Sequence, residues 1–227
     1  MIGVVIPAHN EERLLGACLA SVRCAASHPS LEVEAVHTLV VLDGCTDTSA
    51  QIVEDLGFEA MTIDARNVGV ARAAGAQAVL ARGARWLAFT DADSRVAPDW
   101  LVAQLALGAD AVCGPVSVAD WSNLAPSVRG TWARRYCDAD GHRHVHGANL
   151  GVAAHAYRRA GGFPPLPCNE DVALVDLLIA TGATLAWSAA PRVVTSGRLD
   201  ARVRGGFGDT LAAWTGNIGD SEPSVAP

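Results

Sequence analysis

The chain begins with a short continuous apolar run, residues 3–6, stopped by Pro7. Apolar at every position and closed by a residue that cannot donate to a ladder, this run predicts a strand buried on both faces. Between residues 11 and 26 the apolar positions are Leu14, Leu15, Cys18, Leu19 and Val22, the spacing of a helix with one face inward. The alternation then repeats. Residues 35–42 read as a second strand ending at Asp43-Gly44, residues 49–56 as a helix and residues 58–63 as a third strand. Residues 68–82 are Ala-rich and helix-forming, and residues 86–90 form the next strand. Pro98 and Asp99 suit the first turn of another helix, and residues 111–118 predict a further strand. Strands alternating with helices predict an α/β domain with a mostly parallel central sheet flanked by helices.

Beyond residue 118 the rhythm loosens. Residues 126–136 read as a helix, 145–152 as a Gly-containing strand, 171–180 as a helix and 184–187 as a last strand. Residues 196–206 read as a flexible basic loop and 216–227 as a flexible tail. With no internal repeat and no dividing linker, residues 1–215 are expected to form one domain, with halves at 1–118 and 119–215.

Half of the 227 residues are hydrophobic and 18% are charged, a balance that supports a sizeable core. A formal net charge of -7 argues against broad electrostatic binding to nucleic acid or to an anionic membrane. No apolar run approaches the roughly 18 residues of a membrane span, and the first residues lack the basic start of a secretory signal. A cytoplasmic location is therefore expected. All 17 basic residues are Arg. Without Lys there is no Schiff-base or pyridoxal lysine, no Walker A lysine and no kinase strand lysine. Any anion held by a side-chain cation must be held by Arg or His. The six cysteines include no C-x-x-C pair and read as small buried hydrophobes in a reducing compartment, with no assigned function.

In open parallel sheets, ligands bind at the carboxyl ends of the strands. Three polar clusters occupy those ends here: His9-Asn10-Glu11, residues 43–47, and Asp91-Ala92-Asp93. Two carboxylates one residue apart suit a hard divalent cation, Mg²⁺ or Mn²⁺, whose shell substrate phosphates complete. An acidic turn without function has the same composition.

Taken together, these clusters carry a resemblance. Pro7 to Glu12 matches a P-x-x-N-E-E start, Asp43 to Asp47 a D-G-S-x-D turn, and Asn67 to Gly75 an N-x-G helix start. Asp91 to Asp93 matches D-x-D, Gly147 to Asn149 a G-A-N segment, and Glu170-Asp171 an E-D pair, all in order over roughly residues 2 to 200. In this the chain resembles the family 2 glycosyltransferases, which have a GT-A fold and use nucleotide-activated sugars. The resemblance implies a GT-A-like, Rossmann-type sandwich whose first half binds the nucleotide sugar and whose second half faces the acceptor. Pro7, Ala8 and Glu11 would lie near base and ribose. Asp43 would hydrogen-bond the base, Asp91 and Ala92 would lie against ribose or base, and Asp93 would bind a divalent cation on the diphosphate. Asn67 would open the donor-side helix, on which Arg72 would reach the diphosphate or be exposed.

The later segments extend the implied site. Gly147, Ala148 and Asn149 would border the donor sugar and the acceptor. Asp171 would be the general base, with Glu170 second; the bland alternative is acids favouring a helix N-terminus. His142, His144 and His146 would share one side of a strand, as transition-metal ligands or as an edge of the acceptor cleft, with His146 nearest the site. Trp121 and Trp132 would stack on an acceptor sugar or lipid, or serve packing. One departure stands out: many relatives carry a metal-binding His after the last strand, and no His follows residue 155 here. Arg198, Arg202 and Arg204 would instead close over the diphosphate through planar guanidinium forks, or form a solvated loop.

The sequence reading is thus a metal-assisted, inverting glycosyltransferase. Its donor is a UDP- or GDP-sugar and its acceptor a hydroxyl on an unidentified glycan, lipid or small molecule. It would be cytoplasmic or peripheral to the inner face of the membrane. The rivals are a nucleotide-sugar-binding protein without turnover and a sugar-phosphate nucleotidyltransferase, the latter disfavoured because Lys is absent.

Overall fold

Strand β1 (Ile2–Ala8) lies in parallel between β2 (Val36–Asp43) and β4 (Trp86–Phe89). Val4, Val5 and Ile6 are fully buried, as a strand with neighbours on both edges and helices on both faces must be. The computed structural model describes residues 1–32, 34–118, 120–122 and 126–198. The Arg202–Arg204 part of the basic loop and the 216–227 tail lie outside the described residues.

Helix α1 (Leu15–Ala26) follows β1, α2 (Ser49–Asp55) follows β2, and β3 (Glu59–Ile63) leads into α3 (Val68–Ala81). The Asn67 side chain accepts the Val70 N–H at 3.0 Å and so caps α3. After β4 come β5 (Arg95–Val96), α4 (Trp100–Ala106), β6 (Ala111–Cys113), β7 (Val116–Val118) and α5 (Pro126–Arg135). The chain continues through β8 (Leu150–Ala153), α6 (Ala154–Ala160), α7 (Glu170–Ala180), β9 (Leu185–Trp187) and β10 (Val193–Thr195).

Seven strands form the central sheet in the order β3-β2-β1-β4-β8-β6-β9, parallel except for β8, which is antiparallel to both neighbours. Since β8 comes from the second half of the chain and sits between β4 and β6 from the first, the two halves share one sheet. A second sheet, β5-β10-β7, joins the strand just after Asp93 to the last described strand.

The structure corrects several boundaries. The strand expected over residues 111–118 is two strands in two sheets. Gly114-Pro115 breaks it, because Pro has no N–H for the ladder and the chain turns there into the small sheet. The strand expected over residues 145–152 begins only at Leu150, since residues Gly147–Asn149 form a 3₁₀ turn. Helix α1 starts at Leu15 rather than at residue 11, with the Glu11 carbonyl accepting the Leu14 and Leu15 N–H groups in a preceding turn. Elements β5, α6 and β10 add to the expected set, and of the six cysteines expected to be buried only Cys18 and Cys113 are, while Cys24 and Cys137 are exposed.

The entry to α3 is packed without spare room. A Cβ on Gly69 would lie 2.4 Å from the Pro164 carbonyl oxygen and 2.6 Å from that of Leu166. Gly69→Ala is therefore expected to push the 164–166 loop outward at a cost of about 1–3 kcal/mol. An unchanged urea midpoint would show that the loop yields freely.

Candidate active site

The loops after β1 and β2 are knitted together by their own motif residues. Asn10, in the left-handed region at φ 54°, accepts the Thr46 N–H at 2.7 Å through its side-chain oxygen. Glu12 accepts the Thr48 N–H and hydroxyl, and Asp47 accepts the Glu12 N–H at 2.9 Å. These polar residues hold the rim and leave Pro7, Ala8, Glu11 and Asp43 facing a cavity of about 940 Å³ at the carboxyl ends of the strands.

Asp43 is buried and already has partners. Its carboxylate accepts the N–H groups of Ala65 and Arg66, each at 2.7 Å, and of Asn67 at 2.8 Å. Of the roughly four acceptor positions of a carboxylate, three thus fix the turn that launches α3. Base recognition, the role expected of Asp43, is left one acceptor position.

Asp91, Ala92 and Asp93 line the same cavity, as do Asn67 and Arg72. The exposed placement considered for Arg72 does not occur: it is 4% exposed, pairs with Asp91 at 2.5 Å, and also pairs with Glu170. Its guanidinium fills the space beside residue 147, where a Cβ would lie 2.3 Å from it, so that position takes Gly. Glu170, itself buried, is thereby committed to an arginine.

Asp171 is held differently. It accepts the Gly147 N–H at 2.6 Å and the Val172 N–H at 2.8 Å, and it remains part of the cavity wall. Gly147 and Ala148 also face the cavity. Asn149, expected with them, does not. Its amide N–H₂ donates to the carbonyls of Pro115 and Pro191, and its oxygen accepts the Trp100 indole N–H at 2.9 Å. It is a buried strut beneath the site, and all its polar atoms are used.

Elsewhere in the lining, Asp93 accepts from the hydroxyls of Ser94 (3.2 Å) and Ser196 (3.0 Å), and Thr195 approaches at 3.5 Å. Arg198 lies 3.1 Å from Asp93 and makes a two-pronged pair with buried Glu11 at 2.8 and 2.5 Å. Burial and the charge of Asp91 raise the pKa of Asp93, while Arg198 pulls it down.

The three histidines occupy no strand; they belong to a column of rings. Trp132 stacks on Tyr136 at 3.8 Å and Tyr136 on His144 at 4.0 Å, with His142 and His146 beside them. Trp121 meets Trp132 edge-on. The Tyr136 hydroxyl accepts the Val116 N–H at 2.7 Å and bonds His146 Nε2 at 2.9 Å. No cluster of three metal-ligating side chains occurs among the described residues. Burial, with His144 and His142 adding to it and Asp91 opposing it, lowers the pKa of His146 to about 3. A histidine of ordinary pKa when unfolded and near 3 when folded contributes stability in full above about pH 6.5. That stability is lost at about 1.4 kcal/mol per unit as the pH falls below 6.5. Between pH 7.5 and 5, wild type should therefore lose about 2 kcal/mol more than His146→Gln, as read from paired urea midpoints. Equal losses would show that burial of this ring does not set the acid sensitivity.

A cation fits this wall in one respect. The cavity's described lining carries six carboxylates against four arginines, so an incoming diphosphate meets an excess of negative charge. Asp93 is placed to share a hard ion only if the diphosphate supplies further oxygens.

Sequence reasoning missed Tyr136, Arg66, Arg135 and Ser196 as cavity residues. Only Ser196 had a signal, since it lies in the segment where relatives carry a His.

The family model for glycosyl transferase family 2 matches residues 3–151. The chain belongs to that family. Sequence comparison with curated proteins finds no match. Among solved structures, S. aureus TarS 1-349 in complex with UDP-GlcNAc is similar at TM-score 0.69 and 15% identity, over 91% of this chain and 61% of that one. GalNAc-T7 with UDP, GalNAc and Mn²⁺ gives TM-score 0.65 and 16% identity, over 89% of this chain and 46% of that one. The mannosyltransferase PcManGT from Pyrobaculum calidifontis, in complex with GDP-Man and Mn²⁺, gives 0.63 and 19%, over 88% and 58%. At these identities the likeness shows the GT-A fold. The family 2 chain described here spans about three fifths or less of each of those structures. No helix among its described residues is long and apolar enough to cross a membrane.

Proposed function

We propose that this family 2 chain is an inverting glycosyltransferase that moves a sugar from a UDP- or GDP-sugar to an acceptor hydroxyl, with Asp171 as the general base. The observation that carries this reading is convergence: Asp91 and Asp93 from the end of β4 and Asp171 from the start of α7 face one cavity. The neighbours' bound nucleotides and sugars support it.

In the proposed reaction, the acceptor hydroxyl gives its proton to a carboxylate oxygen of Asp171 as it attacks the anomeric carbon. The bond to the diphosphate oxygen breaks, and that oxygen leaves with the electron pair. Glu170 is a poor substitute base because it is buried against Arg72. Arg72, paired with Asp91, and Arg198, paired with Asp93, line the cavity and would supply planar donor groups toward the diphosphate. A divalent cation, held by Asp93 and the diphosphate, would stabilise charge on the leaving group when bound. Pro7, Ala8 and Asp43 would bound the nucleoside. The six free thiols fit a cytoplasmic enzyme, in solution or at the inner face of the membrane.

The test is calorimetric titration of UDP and of GDP, each with and without Mn²⁺, followed by assay of nucleoside diphosphate release from the matching sugars. Binding of one base and its release from a sugar would support the proposal. Failure of both nucleotides to bind folded protein would remove it. Binding without release from any matching sugar would favour a nucleotide-sugar-binding protein without turnover.

A further inference from the structure

Arg198 has an unusual pair of partners. Glu11 is 6% exposed and the Asp93 side chain 14%, and they come from loops after different strands of the central sheet. A single guanidinium spans them, donating to both oxygens of Glu11 and lying 3.1 Å from Asp93. Among the described residues, the other hydrogen-bond contacts of Asp93 are hydroxyls, from Ser94, Thr195 and Ser196, which bring no charge. Asp91 is matched separately by Arg72. Among the described residues, Arg198 is therefore the cation that pairs with both Glu11 and Asp93. Its own side chain is 29% exposed on the cavity wall, so it has room to leave.

We propose that Arg198 is a placeholder cation: it occupies the Glu11–Asp93 pair in the empty enzyme and surrenders Asp93 only when a divalent ion arrives together with a nucleoside diphosphate. This rests on the reading of the cavity as the donor site. The physical reason is competition. A divalent ion alone must displace or crowd a guanidinium already bonded to the carboxylate it needs, and two cations at that distance repel. A diphosphate changes the balance, because the displaced guanidinium gains a new anion matched to its fork. Contacts with described residues engage three of its five N–H groups. Metal and nucleotide thus become linked through one side chain, each strengthening the other by the same factor. Arg198 is on this account a positioning residue that makes metal loading depend on the donor.

The experiment is Mn²⁺ titration followed by electron paramagnetic resonance, first without nucleotide and then with UDP or GDP. The proteins are wild type, Arg198→Gln, Arg198→Lys and, as a charge control, Arg95→Gln on the exposed edge of β5. Without nucleotide, Arg198→Gln should bind Mn²⁺ at least tenfold more tightly than wild type. Arg198→Lys and Arg95→Gln should stay within about threefold of wild type. With the bound nucleotide, wild-type Mn²⁺ affinity should rise at least tenfold, and the rise should shrink in Arg198→Gln. Equal Mn²⁺ affinity of wild type and Arg198→Gln would overturn the proposal, as would an equal gain in Arg95→Gln, which would reduce the effect to overall charge. If Arg198→Gln does not fold, tight Mn²⁺ binding to wild type or to Arg198→Lys without nucleotide overturns it equally. Absence of any nucleotide effect in wild type would instead remove the donor-site reading, a separate result from the nucleotide-free comparison.

Discussion

Asp171→Asn should lower sugar transfer by roughly 10²–10⁴-fold while leaving affinity for the nucleoside diphosphate within about twofold. The substitution is nearly isosteric but keeps one acceptor oxygen, so one of the two backbone N–H groups, that of Gly147 on Oδ2 or that of Val172 on Oδ1, loses its partner. What it removes is the capacity to take a proton. The two described groups closest in sequence or motif are poor substitutes: Glu170 is buried in a pair with Arg72, and His146 is held neutral behind the Tyr136 hydroxyl. The measurement is steady-state product formation beside calorimetric nucleotide binding. Turnover close to wild type with binding intact would move the base elsewhere in the cavity.

Arg72→Met should be the most destabilising of the single changes considered. The guanidinium lies against Asp91 and Glu170, and the Glu170 side chain is 4% exposed. Methionine fills part of the volume but leaves a buried carboxylate without its partner, a loss of about 3–5 kcal/mol. Against a total stability of about 5–15 kcal/mol, this should move the urea midpoint down by roughly 1–2 M. Adding Glu170→Gln should recover part of the loss, because the stranded charge is then gone. A double variant as unstable as Arg72→Met would mean that the arginine matters through packing against Phe163 and Gly147 instead.

The two arginines also mark the boundary of what the sequence made legible. Strands β1, β2 and β4 were readable because parallel strands buried on both faces leave continuous apolar runs, and the polar clusters were readable because they interrupt those runs at the ends. No local period announces that Arg72 will meet Glu170 from across the chain, or that Arg198 will meet Glu11, 187 residues away. The same holds for Asn149. Its G-A-N context suggested a ligand-facing residue, but the amide closes three hydrogen bonds under the site. The insertion of β8 between β4 and β6 was likewise hidden, since a four-residue strand carries little pattern and its neighbours are fixed by long-range packing.

The small sheet has a consequence for how the fold comes into being. Asp93 is steadied by Thr195, 102 residues later, and β5 finds its partner only in β10. At about 5–20 residues per second of synthesis, the segment that carries Asp93 leaves the ribosome several seconds before the hydroxyls and the guanidinium that complete its surroundings. Through that interval the nascent chain has strands β1 to β4 but, at their ends, Asp93 without the Arg198 guanidinium. The wall that carries Thr195, Ser196 and Arg198 is added when β10 docks, so the cavity at the strand ends is completed late rather than with the strands that first suggest it.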